Sequence, residues 1–134
     1  GYYIGGSDMY FAPRDMARFG DLYMNDGFLN DVQIVPQDWV TASKRDYSGY
    51  HDMSWGRLED MGYGYLWWLG RINGYRFHLA LGHGGQFIMN IPHFSLTIVT
   101  VCDWELDWAT ADSHERDITE FIADQFFPAI KDFK

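Results

Sequence analysis

Basic residues are scarce in this sequence. Ten Lys and Arg stand against nineteen Asp and Glu, a net charge of −9, and such a surface repels phosphate backbones and anionic membranes. Nucleic acid is thereby excluded as a partner. Cysteine is scarcer still: Cys102 stands alone, so no internal disulfide can form, and its apolar strand setting reads as a buried, inert thiol. No apolar run approaches the roughly 20 residues that span a bilayer. The opening GYYIGGSDMY lacks the basic and apolar stretches of a signal peptide. It reads as a chain entered mid-domain, because the IGGSD turn has almost nothing before it to connect.

Reaction motifs are missing too. There is no HExxH, His-x-His or Cys-x-x-Cys pairing among the five histidines and the acids, so neither a metal nor a cofactor is expected. The serine elbow G-x-S-x-G fails at Ser7, where methionine occupies the place of the last glycine. Ser7 reads as a turn residue. The triplet GGQ is shared with peptide-release factors, but those are basic proteins that carry it near RNA, and this chain is acidic.

What is present is material for a core. With 47% hydrophobic and 19% aromatic residues in 134, the chain can fold as one domain over 1–134. Pro13 followed by Met16, Phe19, Leu22 and Tyr23 predicts a helix over about 13–26, stopped by Gly27. A short extended piece runs through Ile34, and Pro36 opens a second helix with Trp39 and Val40 turned inward. Residues 45–62 have no clear period and read as a long surface loop. From Tyr63 the pattern is that of strands: YGYLWWLGRI and YRFHLAL flank Asn73-Gly74, a strong hairpin signal, while QFIMNI and SLTIVTVCD flank the reversal at Pro92-His93-Phe94. Three or four sequential antiparallel strands are expected. The nearly continuous apolar run LTIVTV implies cover on both faces. One cover is a closing helix capped by Asp112 or Ser113, with Ile118, Phe121, Ile122 and Phe126 on one stripe and Pro128 near its end. The expected class is α+β, an antiparallel sheet with flanking helices.

The residue string ALGHGGQFIMNIP, 80–92, raises the functional question, because glycines serve both for tight reversal and for close approach of backbone to a ligand. In order along the chain, GGSDMYFAPRDMARFGDLYMNDGFLNDVQIVPQDWV, YGYLWW and GHGGQFIMNIPHFSLTIVTVCD resemble the C-terminal portion of serine hydrolases related to class C β-lactamases and penicillin-binding proteins, in the subgroup of esterases, amidases and nylon-oligomer hydrolases. The resemblance runs from Gly5 to the final helix. It implies the C-terminal part of a transpeptidase-like fold, an acyl-enzyme on an ester, amide or β-lactam carbonyl, and, by analogy alone, a periplasmic or secreted setting.

Such enzymes use a Ser-x-x-K nucleophile, a Tyr-x-Asn motif and a Lys-Thr-Gly strand. No serine here has lysine three residues on, and Tyr23-Met24-Asn25 matches only as letters, inside the first predicted helix. The resemblance therefore implies a chain inactive alone, completed by an N-terminal part that brings serine, lysine and tyrosine. Ala80-Leu81-Gly82 falls at the Lys-Thr-Gly place, with alanine where the family has lysine, a departure that weighs against recognition of a β-lactam carboxylate. The implied roles are an oxyanion donor in the backbone N–H of His83, close approach through Gly82, Gly84 and Gly85, and a loop fixed by Gln86. The His83 imidazole reads as a pocket wall, and His51, His78, His93 and His114 as structural. Trp55, Trp67, Trp68 and Trp104 fit either an acyl pocket or the core. An exposed sheet edge would favour self-association. The alternative function is a non-catalytic binding or accessory domain on the same scaffold.

Overall fold

The computed structural model describes residues 9–131, so Gly5, Gly6 and Ser7 lie outside the described residues. Helix α1 spans Pro13–Met24 with Pro13 at its first position, where the missing N–H costs nothing. It ends in a Schellman turn. Asp26 takes the left-handed conformation and the Gly27 N–H reaches the Leu22 carbonyl at 2.8 Å, so Gly27 sits one residue beyond the turn of the helix. The extended piece that follows is a small hairpin, β1 (Phe28–Leu29) against β2 (Val32–Gln33), reversing through Asn30 and Asp31, both at positive φ.

Helix α2 spans Gln37–Ser43, with Pro36 as its cap residue. Val40 is fully buried but Trp39 is 50% exposed, a correction to the expectation that both turn inward. Adjacent residues lie about 100° apart around a helix, and a seven-residue helix offers one narrow inward stripe. Trp39 stacks instead on Tyr65, centroids 5.4 Å apart.

Five strands, not three or four, form one antiparallel meander in chain order: β3 (Leu58–Tyr63), β4 (Trp68–Ile72), β5 (Tyr75–Gly82), β6 (Gln86–Ile91) and β7 (Leu96–Thr100). All of strand β3 but Tyr63 lies inside the stretch expected to be loop. A bulge between Glu59 and Gly62, with Asp60 at positive φ, puts both Leu58 and Met61 into the core. That odd spacing erases the period of two by which a strand is read. The α+β class, an antiparallel sheet with helices, is as expected; the strand number is not.

The two faces of the sheet are filled differently. On one, Leu58, Ile72, Phe77, Leu79, Phe87 and Met89 meet Ile122, Ala123 and Phe127. These come from α3 (Trp108–Phe121), a π-helical turn (Ile122–Phe126) and α4 (Phe127–Lys131). On the other, α1 crosses β6 and β7 through Gly20, where a Cβ would collide with the side chains of Thr97 and Ile88. Asn90, fully buried, donates to the Gly20 carbonyl at 2.8 Å. Beside α1, Tyr23, Val40 and Trp67 close a second small core against Leu69 and Ala80.

The closing helix departs from expectation at both ends. It starts at Trp108, capped by Asp107, whose carboxylate accepts from the N–H groups of Ala109 and Thr110. Asp112 instead binds Arg116 and the Trp55 indole N–H. The π-helical turn inserts an extra residue per turn, which rotates the buried stripe: Phe127 is fully buried, Phe126 only half, and Phe121 is 61% exposed. Strand β7 is half-buried along its length, with α1 on one face and Ile118 near Ile98 on the other. Among the described residues, no helix is long and apolar enough to cross a membrane.

Candidate functional site

The GHGGQ segment is the β5–β6 hairpin. Gly82 pairs with Gln86, and His83, Gly84 and Gly85 form the reversal, closed by the Gly85 N–H on the Gly82 carbonyl at 3.2 Å. Gly84 and Gly85 both have positive φ, 78° and 101°, a conformation that any Cβ strains. Each also lies against neighbouring structure: a Cβ on Gly84 would collide with the Asp103 carbonyl, and one on Gly85 with the Ile118 side chain. Their glycine requirement thus has an internal source. Ala80 and Leu81 are half-buried on opposite faces of β5, Ala80 toward Trp67 and Leu81 toward the larger core.

The loop is tied down from one side. The Gly84 N–H donates to Glu115 of α3 at 2.7 Å, and Glu115 is buried. Thr100 donates its hydroxyl to the Gly85 carbonyl at 2.6 Å. The Gln86 amide clasps the backbone of Cys102, donating to its carbonyl at 2.6 Å and accepting from its N–H at 3.1 Å. The His83 ring donates Nε2–H to the Leu106 carbonyl at 2.8 Å and meets Trp108 edge-on, centroids 4.6 Å apart.

One donor is left over. The His83 backbone N–H has no acceptor among the described residues. It sits on a reversal tied by Glu115 and Thr100 from outside and by the hairpin's own His83 and Gln86 side chains, and a fixed, unengaged N–H is what an oxyanion needs.

Among the described residues, no serine beside it is paired with a base. Ser43 is buried and donates to the Val40 carbonyl, and Ser48 is engaged with Asp46. Among the described residues no serine hydrogen-bonds to a histidine. Tyr23, the first letter of the chance Tyr-x-Asn match, is buried in the last turn of α1 against Trp67. No family model matches the chain, and no curated protein matches it.

The four tryptophans do not converge on the loop. Trp67 is in the small core, Trp68 stacks on Tyr50, Trp55 lies under Arg116 of α3, and Trp104 is exposed. The aromatic ring beside His83 is Trp108, which the sequence pattern did not single out because its helix was expected to begin later. Cys102 is half-buried, and burial raises its thiol above the ordinary range. That disfavours the thiolate and any nucleophilic role at neutral pH.

Proposed function

We propose that the chain forms one wall of the acyl-transfer site of a serine hydrolase related to class C β-lactamases and penicillin-binding proteins. In this reading the sheet and its flanking helices are the C-terminal part of a transpeptidase-like fold, and the serine, lysine and tyrosine come from sequence that precedes these residues. The His83 N–H, without an acceptor of its own, carries the proposal. In acyl transfer the carbonyl oxygen gains negative charge, and one preorganised donor lowers that barrier by roughly 3 to 4 kcal/mol. The bonds from Glu115, Thr100 and Gln86 support preorganisation, because they keep the donor from relaxing. The apolar groove of about 400 Å³ beside the β7 edge, lined by Ile98, Ile118 and Phe121 among others, supports pairing with further sequence.

The second reading is a non-catalytic binding or accessory domain. It is favoured by the internal packing reason for Gly84 and Gly85, which needs no ligand.

Fluorophosphonate labelling separates the two. The 134 residues alone should take no label and turn over no nitrophenyl ester, while the natural full-length protein should be labelled on one serine outside them. In that protein His83→Phe should keep most of the turnover, and His83→Pro, verified as folded by circular dichroism, should lose about a hundredfold or more in kcat. An unlabelled full-length protein, or a label on a serine within these residues, would sink the proposal.

A further inference from the structure

A second concavity lies at the opposite end of β5. Arg76 is six residues from Gly82, so the two positions stand roughly 20 Å apart along the strand. The cavity, about 590 Å³, is lined by Lys44 and Arg45 at the end of α2, Arg71 of β4, and Arg76 and His78 of β5, together with the carboxylates Asp46 and Asp60. Four of the ten basic residues of a chain with net charge −9 gather here.

Their pairing is incomplete. Arg71 and Arg76 are directly opposite on adjacent antiparallel strands, so both side chains leave the same face, and like charges so placed repel. Arg71 is compensated: its Nε lies 3.2 Å from Asp60, and Glu59 stands opposite it on β3. Lys44 donates to the Tyr23 carbonyl at 3.1 Å, with Asp26 at 3.7 Å. Asp46 is consumed by Ser48 and by the Tyr63 N–H. Among the described residues, neither the Arg45 nor the Arg76 guanidinium has a carboxylate partner. Beneath them, His78 is nine-tenths buried and its Nε2 has no hydrogen-bond partner. Pro92 borders the cavity next to β5 and offers no N–H that would compete for an anion.

We propose that this cavity binds a small oxyanion-bearing molecule, a carboxylate or a phosphate, held between the guanidinium groups of Arg45 and Arg76. Each guanidinium presents a planar fork of donors that fits either oxyanion. The ligand would give Arg76 the counter-charge that its cross-strand neighbour Arg71 already has in Asp60. It is distinct from any acyl group at the glycine hairpin.

The test is NMR titration of the intact chain with inorganic phosphate and, separately, with succinate, each against sodium chloride at matched ionic strength. Saturable shifts confined to residues 44–46, 69–71 and 76–78 are expected, and the tighter of the two probes identifies the oxyanion. Arg76→Gln and Arg45→Gln should each weaken binding about tenfold or more. Arg14→Gln, which removes an equal charge from the exposed start of α1, should leave it unchanged. Because Arg45 and Arg76 are exposed, both variants should keep the parent spectrum elsewhere. Shifts that never saturate with either probe, or equal weakening by Arg14→Gln, would overturn the proposal.

Discussion

Strand β5 is bounded by two reversals built on opposite principles. At its start, Asn73-Gly74 connects β4 to β5 with both residues at positive φ, and a Cβ on Gly74 would meet nothing within 4 Å. At its end, Gly84 and Gly85 also have positive φ, but a Cβ on either would strike neighbouring structure, and Glu115, Thr100, Gln86 and His83 all bind across the gap. The first turn is fixed by local backbone preference. The second is fixed by what surrounds it, and that is why it is suited to hold an unengaged donor still.

Alanine substitution of one glycine in each turn should separate these two principles most widely. Gly84→Ala adds left-handed strain to a collision with the Asp103 carbonyl, and should cost roughly 3–5 kcal/mol. Gly74→Ala carries strain alone, roughly 1–2 kcal/mol. Urea denaturation of both variants measures the difference, and equal losses would erase the distinction between the turns.

Between the turns lies His78, whose burial, with help from the Lys44 ammonium, lowers its pKa from 6.5 to about 4. The unfolded chain therefore binds a proton near pH 6.5 that the folded chain refuses until about pH 4. Stability from this group is complete above pH 6.5 and declines as pH falls toward 4, by about 3 kcal/mol across that window. Denaturation midpoints of the parent and His78→Gln, measured at pH 7 and pH 4.5, should converge at the lower pH. Parallel pH profiles would mean that His78 titrates normally.

The sequence exposed local features and hid tertiary ones. Asn73-Gly74, the Pro13 helix start and the strands 75–82 and 86–91 were legible because each is written in neighbouring residues. Strand β3 was not, since its bulge puts Leu58 and Met61 on one side and breaks the alternation. The start of α3 was misplaced because Asp107 follows an irregular stretch, and two later candidates, Asp112 and Ser113, offered the same cap chemistry. At the candidate site, Gln86 was legible as a fixing residue and forms two hydrogen bonds. Glu115 and Trp108 were not, because their roles depend on α3 being folded back over the β5–β6 reversal.

Glu115 tests that dependence with a smaller effect. Glu115→Ala leaves the Gly84 N–H without its acceptor and should cost about 2 kcal/mol. Glu115→Gln keeps a carbonyl oxygen in reach and should recover about half of that. Amide hydrogen exchange at Gly84 reports the bond directly: exchange should accelerate in Glu115→Ala while exchange at Gly74 stays as it was. If the Gly84 amide exchanged no faster, the carboxylate would not be what holds the hairpin.

The smallest effect belongs to the start of β5, and it asks whether the local turn is as independent as its open surroundings imply. Asn73 donates its side-chain amide to the Ala123 carbonyl at 2.7 Å, inside the π-helical turn. Such a turn shifts hydrogen bonding from the fourth to the fifth residue and displaces carbonyls from their regular partners, so Asn73 supplies an acceptor site with a donor. Asn73→Gly keeps the positive-φ preference of the reversal and removes only this bond, so it should cost about 1 kcal/mol. Retention of the strand register, read from cross-strand nuclear Overhauser contacts between Ile72 and Tyr75, is the accompanying expectation. A loss as large as that of Gly84→Ala would make the Asn73-Gly74 turn a tertiary device as well, and the contrast between the two ends of β5 would collapse.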